Sequence, residues 1–393
     1  MNIVRNYIDY GKTMQEENKN VITALFCGSL LSEKLNDVIG GLSRTLDPST
    51  RETQWKIFNG TGTGGNYYDA ALGLVDGRLG KNNCFAMSKI ALKWIYQRAT
   101  SESGLKTVVL IGYSRGCITA NLVANLAEKN EALQHIQFIQ IDLDPVAGLF
   151  TNNQMVPPIA SNVIFHSRLY AHHTSLPLFP LFLSHVPKYR HSKTKSLAFL
   201  LPADHGAASG VRITLLEPVE FILTDKNTKH LKTPILGLLI VSLKKIGMKF
   251  NTNEFEPEMV INEWVKWGVK ETQHWEVGPL HVKNYARQHD QENLILIPQL
   301  IILFLATMAL FYLLLENNIR LGIITANVLI LIKLIQSFAH ACVPITTLAK
   351  PLLPENISDK NELTKTIRAH LEKFWEPFIS SSKPGASHSP SMS

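Results

Sequence analysis

The stretch "LIGYSRGCIT", Leu110 to Thr119, sets Ser114 between Gly112 and Gly116 and follows the serine with Arg115. The apolar run "TVVLI" precedes it and "CITANLVANL" follows, so G-x-S-x-G falls between a strand and a helix. That context is a nucleophile elbow: the glycines relieve crowding in a sharp turn, and the turn lifts the serine hydroxyl above the sheet. A serine there needs a base, and the base needs a carboxylate to orient it. Chain order Ser, acid, His places both partners downstream.

The strand "IQFIQIDLD" ends in Asp142 and Asp144. Alternation with period two predicts that both acids share a face if the strand continues that far. Asp144, at the carboxyl end before Pro145, is the first choice for the acid, and Asp142 the second. His205, in the loop "LLPADHGAASG" after an apolar strand, is the first choice for the base; His172 and His173 are the alternatives. One oxyanion donor is expected to be the backbone N–H of Arg115, directly after the nucleophile. The second is expected from Gly28 or Ser29 in "FCGSL", with the glycine-rich "NGTGTGG" (59–65) as the other source. That loop lacks the lysine of a nucleotide-binding P-loop and is not read as a nucleotide site.

Elements must bring these residues together. Apolar, β-branched runs predict strands at 21–27, 54–58, 106–113, 136–144, 162–170, 196–202 and 211–217. Helical spacing predicts helices at 84–99, 117–129, 234–247 and 258–269. Alternating strands and helices with nearly continuous apolar strands imply an α/β fold, with a mostly parallel sheet covered on both faces. Reactive groups in such sheets gather beyond the carboxyl ends of the strands. The expected layout is a core over 1–217, a helical cap or extension over 218–292, an apolar hairpin over 293–343 and a partly disordered tail over 344–393.

The run "LILIPQLIILFLATMALFYLLL" (294–315) carries 22 residues without a charge. At about 1.5 Å per residue it reaches roughly 33 Å, enough to cross a hydrocarbon core of about 30 Å. A second run (321–343) is interrupted by Lys333, which costs about 2.5–3.5 kcal/mol at a membrane centre. The two read as a transmembrane hairpin. A net charge of +7 favours anionic partners such as lipid headgroups. No basic stretch interleaved with aromatics points to nucleic acid, and no binding of it is expected. The four cysteines, Cys27, Cys84, Cys117 and Cys342, have no zinc spacing and read as free thiols in a reducing compartment. No metal or cofactor is expected. The first twenty residues lack the apolar run of a secretory signal, so export would use a route without a cleaved leader.

"GYSRGCITANLVANL" resembles the G-[FYW]-S-R-G-A elbow of the type VI secretion phospholipase effectors and their α/β-hydrolase relatives. Three further segments agree in order: "NGTGTGG" with a G-x-G-T segment, "IDLDPVAG" with D-[TP]-V, and "LPADHGAASG" with P-G-x-H. They span roughly residues 20–210. Cys117 stands where the family has Ala, Ala203 where it has Gly, a single Gly210 where it has a glycine run, and "CGS" where it has D-G-T. The resemblance implies an α/β-hydrolase-like fold. It implies a Ser/Asp/His hydrolase carried by Ser114, Asp144 and His205, with lipid esters, often phospholipids, as substrates. With the apolar hairpin it also looks like a bacterial effector acting at a host membrane. The competing readings are a catalytically inactive hydrolase scaffold tethered to a membrane for protein interaction, and a soluble thioesterase or peptidase with 294–343 buried.

Overall fold

The computed structural model describes residues 20–35, 37–64, 82–101, 104–147, 156–173, 185, 187–191, 193–205, 209, 228–251, 255–274, 350–351 and 359–380. Six longer strands are β1 (Val21–Phe26), β2 (Trp55–Phe58), β3 (Thr107–Tyr113), β4 (Gln137–Leu143), β5 (Val163–His173) and β6 (Lys195–Asp204). β7 is the two-residue Lys350–Pro351. All pairings are parallel, in the order β2-β1-β3-β4-β5-β6-β7. The α/β class with a parallel sheet read from the sequence is therefore the observed one.

Side-chain alternation divides two cores. Leu25, Val109, Ile111, Ile139 and Ile141 face one side. There they meet α1 (Val38–Thr45), α4 (Thr228–Lys245), α5 (Pro257–His274) and α6 (Lys360–Ser380). Ile22, Ala24, Val108, Leu110 and Phe138 face the other side, under α2 (Cys84–Ser101) and α3 (Arg115–Glu128). Apolar burial on both faces is why these strands read as unbroken hydrophobic runs. The segment 218–292, left open as cap or extension, supplies two helices to the first of these faces.

The sequence reading placed no element at 360–380, within the tail. Leu363, Ile367, Leu371, Phe374 and Phe378 recur at helical spacing and are buried against the sheet and its helices. The Phe378 ring lies 6.2 Å from that of Phe165 on β5. Phe374→Ala is expected to cost about 3–5 kcal/mol in urea unfolding; a loss under 1 kcal/mol would mean that this helix is not part of the core.

The helix α1 starts on Asp37, whose Oδ1 accepts the Gly40 N–H at 2.7 Å. Burial pushes the Asp37 carboxyl up to about 6, against the backbone hydrogen bond and the pull of Lys232 and Arg44. A raised folded value means that the native state holds the proton more tightly than the unfolded chain. Stability from this group is full below about pH 4 and is lost as pH rises through 6, by on the order of 3 kcal/mol. Asp37→Asn keeps an acceptor for the cap and should flatten the wild-type fall in unfolding free energy between pH 4 and 6. An unchanged slope would contradict this.

The sequence expectations at 211–217 and 293–343 lie outside the described residues. Among the described residues, no helix is long and apolar enough to cross a membrane.

Candidate active site

The strand order reverses between β1 and β3, because β2 lies on one side of β1 and β3–β7 on the other. A crevice opens beyond the carboxyl ends at such a point. The loop after β1 carries Gly28 and Ser29, and the turn after β3 carries Ser114.

Ser114 has φ 54° and ψ −122°, a conformation that costs an L-residue of order 1–3 kcal/mol. It persists because neighbours fix it. The Ser114 N–H donates to the Leu143 carbonyl at 2.9 Å, and its carbonyl accepts the Cys117 N–H at 3.1 Å. Both flanking glycines are sterically required. A Cβ on Gly112 would lie 2.5 Å from the Cys117 nitrogen, and one on Gly116 would lie 2.3 Å from the Phe26 carbonyl oxygen. The G-x-S-x-G spacing is thus the price of packing a helix start directly against β1.

His205 follows the end of β6. Its Nε2 lies 3.1 Å from Ser114 Oγ, and its Nδ1 lies 2.6 Å from Asp144 Oδ2. The three residues, distant in sequence, are each at most 5% exposed. With the imidazole proton on Nδ1 facing the carboxylate, Nε2 presents its lone pair to the serine hydroxyl. Asp144 is itself pinned: its N–H donates to the Leu169 carbonyl at 2.7 Å, and its Oδ1 accepts the Ala171 N–H at 3.1 Å. The side chains of His172 and His173, the alternative bases, lie outside the described residues.

Asp142 and Asp144 would share a face only if the strand continued that far, and it does not. β4 ends at Leu143, and Asp144 adopts φ 41°, which breaks the alternation and swings its side chain to His205. Asp142 enters a separate buried network. Its carboxylate accepts from Gln140 Nε2 at 2.9 and 3.1 Å and lies 2.7 Å from His166 Nε2. His166 Nδ1 meets the Tyr189 hydroxyl at 3.1 Å, and Arg168 packs over the rings of Tyr170 and Tyr189. Burial lowers the His166 pKa, with Asp142 opposing it.

The oxyanion side is equally close-packed. A Cβ on Gly28 would lie 2.6 Å from the Tyr113 ring and 3.2 Å from Ser114 Cβ, so this backbone runs beside the nucleophile. Arg115 opens α3, where first-turn N–H groups point out of the helix end. The glycine-rich loop, the other source considered, packs directly against Gly28. A Cβ on Gly60 would fall 1.6 Å from the Gly28 carbonyl oxygen.

The sequence reading missed Tyr113. Its hydroxyl donates to the His205 carbonyl at 2.7 Å, and its ring stacks on the imidazole with centroids 5.0 Å apart. The residue before the nucleophile therefore holds the base from two directions. An aromatic in that position of the motif was the available signal.

Among the described residues Cys27, Cys84 and Cys117 are buried and in no disulfide. Burial, and after it the charge of Asp142 for Cys117 and of Asp37 for Cys27, pushes the thiols of Cys117 and Cys27 well up, so neither is a thiolate nucleophile. Among the described residues, no group of three or more His, Cys, Asp or Glu side chains is placed to hold a metal ion. No protein-family model matches the chain, and no curated protein matches it in sequence.

Proposed function

We propose that this chain is a membrane-associated serine hydrolase of α/β-hydrolase type, cleaving acyl esters of lipids, with phospholipids as the first candidates. The observation that carries the reading is His205 seated between Ser114 Oγ and Asp144. A serine hydroxyl becomes a nucleophile when a neutral imidazole can take its proton, and the imidazole does so when a carboxylate stabilises the cation formed. The strained conformation of Ser114 adds support, since strain of this kind collects where chemistry happens.

Ser114 Oγ attacks the acyl carbonyl carbon while His205 Nε2 takes the hydroxyl proton. The tetrahedral oxyanion is met by the Arg115 N–H and an N–H from Gly28 or Ser29. Collapse breaks the ester bond, and His205 returns the proton to the departing alkoxide. Water, deprotonated by the same imidazole, then attacks the acyl carbon; the bond to Ser114 Oγ breaks, His205 returns the proton to Oγ, and the fatty acid leaves.

The lipid substrate and the membrane rest on sequence. Residues 294–315 are long and apolar enough for one span, and the positive net charge favours anionic headgroups. The resemblance of "GYSRGCITANLVANL" to the type VI phospholipase effectors points the same way, towards an effector acting at a membrane. Mixed phospholipid vesicles test the proposal. Fatty acid and lysophospholipid should appear with the wild type and vanish with Ser114→Ala. No fatty acid from any headgroup class would remove the lipid substrate, and release that survives the substitution would remove the site.

A further inference from the structure

We propose that the Arg115 side chain is a positioning residue: with Thr61 it clamps the Ser29 hydroxyl and so fixes the backbone donor at Gly28–Ser29 that faces the oxyanion. The proposal rests on the hydrolase reading and assigns to it two side chains, those of Arg115 and Thr61, that do not touch the substrate.

The loop after β1 would not hold its shape unaided. The Leu31 N–H donates to the Gly28 carbonyl at 3.0 Å, closing a four-residue turn over Gly28, Ser29, Leu30 and Leu31. Leu30, at the third position, has φ 62°, a conformation that favours glycine and strains leucine by roughly 1–2 kcal/mol. A turn carrying that strain relaxes unless its surroundings over-determine it. Relaxation would rotate the peptide groups that must point at the oxyanion.

The restraints come from two directions. From the glycine-rich loop, the Thr61 carbonyl accepts the Leu30 N–H at 2.8 Å and the Thr61 hydroxyl donates to Ser29 Oγ at 3.0 Å. From the nucleophile turn, Arg115 Nη1 donates to the same Ser29 Oγ at 3.0 Å. Ser29 Oγ thus accepts two hydrogen bonds and is held between the two loops. Arg115 is only 3% exposed. A guanidinium so deeply buried is costly, and here it spans from the nucleophile's own neighbour to the loop that supplies the opposite donor. One residue then serves both sides of the oxyanion: its N–H as one donor, its side chain as the brace for the other.

The test uses the full-length protein with a soluble short-chain p-nitrophenyl ester, sites counted by fluorophosphonate titration, and Arg115→Gln, Ser29→Ala and Thr61→Val. A clamp predicts that Arg115→Gln and Ser29→Ala each lower kcat per titrated site by about 10–100-fold, with KM within about threefold and an unchanged pH profile. Their double substitution should be no worse than the more severe single one, because both remove the same contact. Thr61→Val should show a smaller loss of the same kind and reads the second arm even if Arg115→Gln folds poorly. Unchanged kcat in Ser29→Ala, or fully additive losses, would overturn the clamp; loss in Arg115→Gln alone would reveal a field effect of the charge and overturn it too. A wild type that neither hydrolyses the ester nor takes up the fluorophosphonate would instead refute the hydrolase reading, and the clamp with it.

Discussion

Ser114→Ala is expected to lower ester hydrolysis by roughly 10⁴-fold or more at unchanged thermal stability. The hydroxyl is the only group removed. Its backbone is held by the Leu143 carbonyl and by the bonds to its own carbonyl, none of which involves the side chain. The turn already has both flanking glycines in close contact with backbone, so the alanine protein should keep the wild-type fold. What disappears is the atom that forms the acyl-enzyme. Burst kinetics with a p-nitrophenyl ester check this: wild type should release a stoichiometric burst, and the variant none. A variant that retains more than a few per cent of wild-type turnover would show that water, or another side chain, attacks the carbonyl.

Two aspartates of the same strand end should separate cleanly. Asp144→Asn is expected to lower kcat by about 10⁴-fold, because an amide donating to His205 Nδ1 drives the imidazole proton to Nε2, where it faces Ser114 and blocks proton transfer. Asp142→Asn is expected to leave kcat per titrated site within a few-fold of wild type. Its cost falls on stability, about 1–3 kcal/mol, since the Gln140 amide and the His166 ring lose a charged partner in a buried network. Kinetics on titrated sites, together with urea unfolding of both variants, separate the two. The reverse pattern would make Asp142 the orienting acid and His166 the candidate base.

These aspartates also mark where sequence reading stops. Strands β1, β3 and β4 were legible because burial on both faces demands unbroken apolar runs. Ser114 was legible because Gly112 and Gly116 are forced by contacts that tolerate no Cβ. Asp144 could be favoured over Asp142 only by its place beside Pro145, and the condition for a common face, a strand continuing to Asp144, is not met. A single residue at φ 41° decides the matter, and that angle is imposed by β5 through the Leu169 carbonyl and the Ala171 N–H. The helix α1 was missed because Gly40 and Gly41 lower its propensity, and tertiary packing of Val38, Ile39 and Leu42 overrides that. The helix α6 was missed although its apolar positions recur at helical spacing, because the reading treated the whole region as a tail. Thr61 was invisible for another reason: it acts on a loop 32 residues away in the chain, and no local pattern announces such a contact.

Peptide mapping by mass spectrometry after reaction of the folded wild type with a fluorophosphonate puts the nucleophile to the test. The arrangement of Ser114, His205 and Asp144 requires one adduct per chain, on Ser114, formed far more slowly in His205→Ala. A well-folded protein that takes up no phosphonate, or takes it up on a residue other than Ser114, would contradict it.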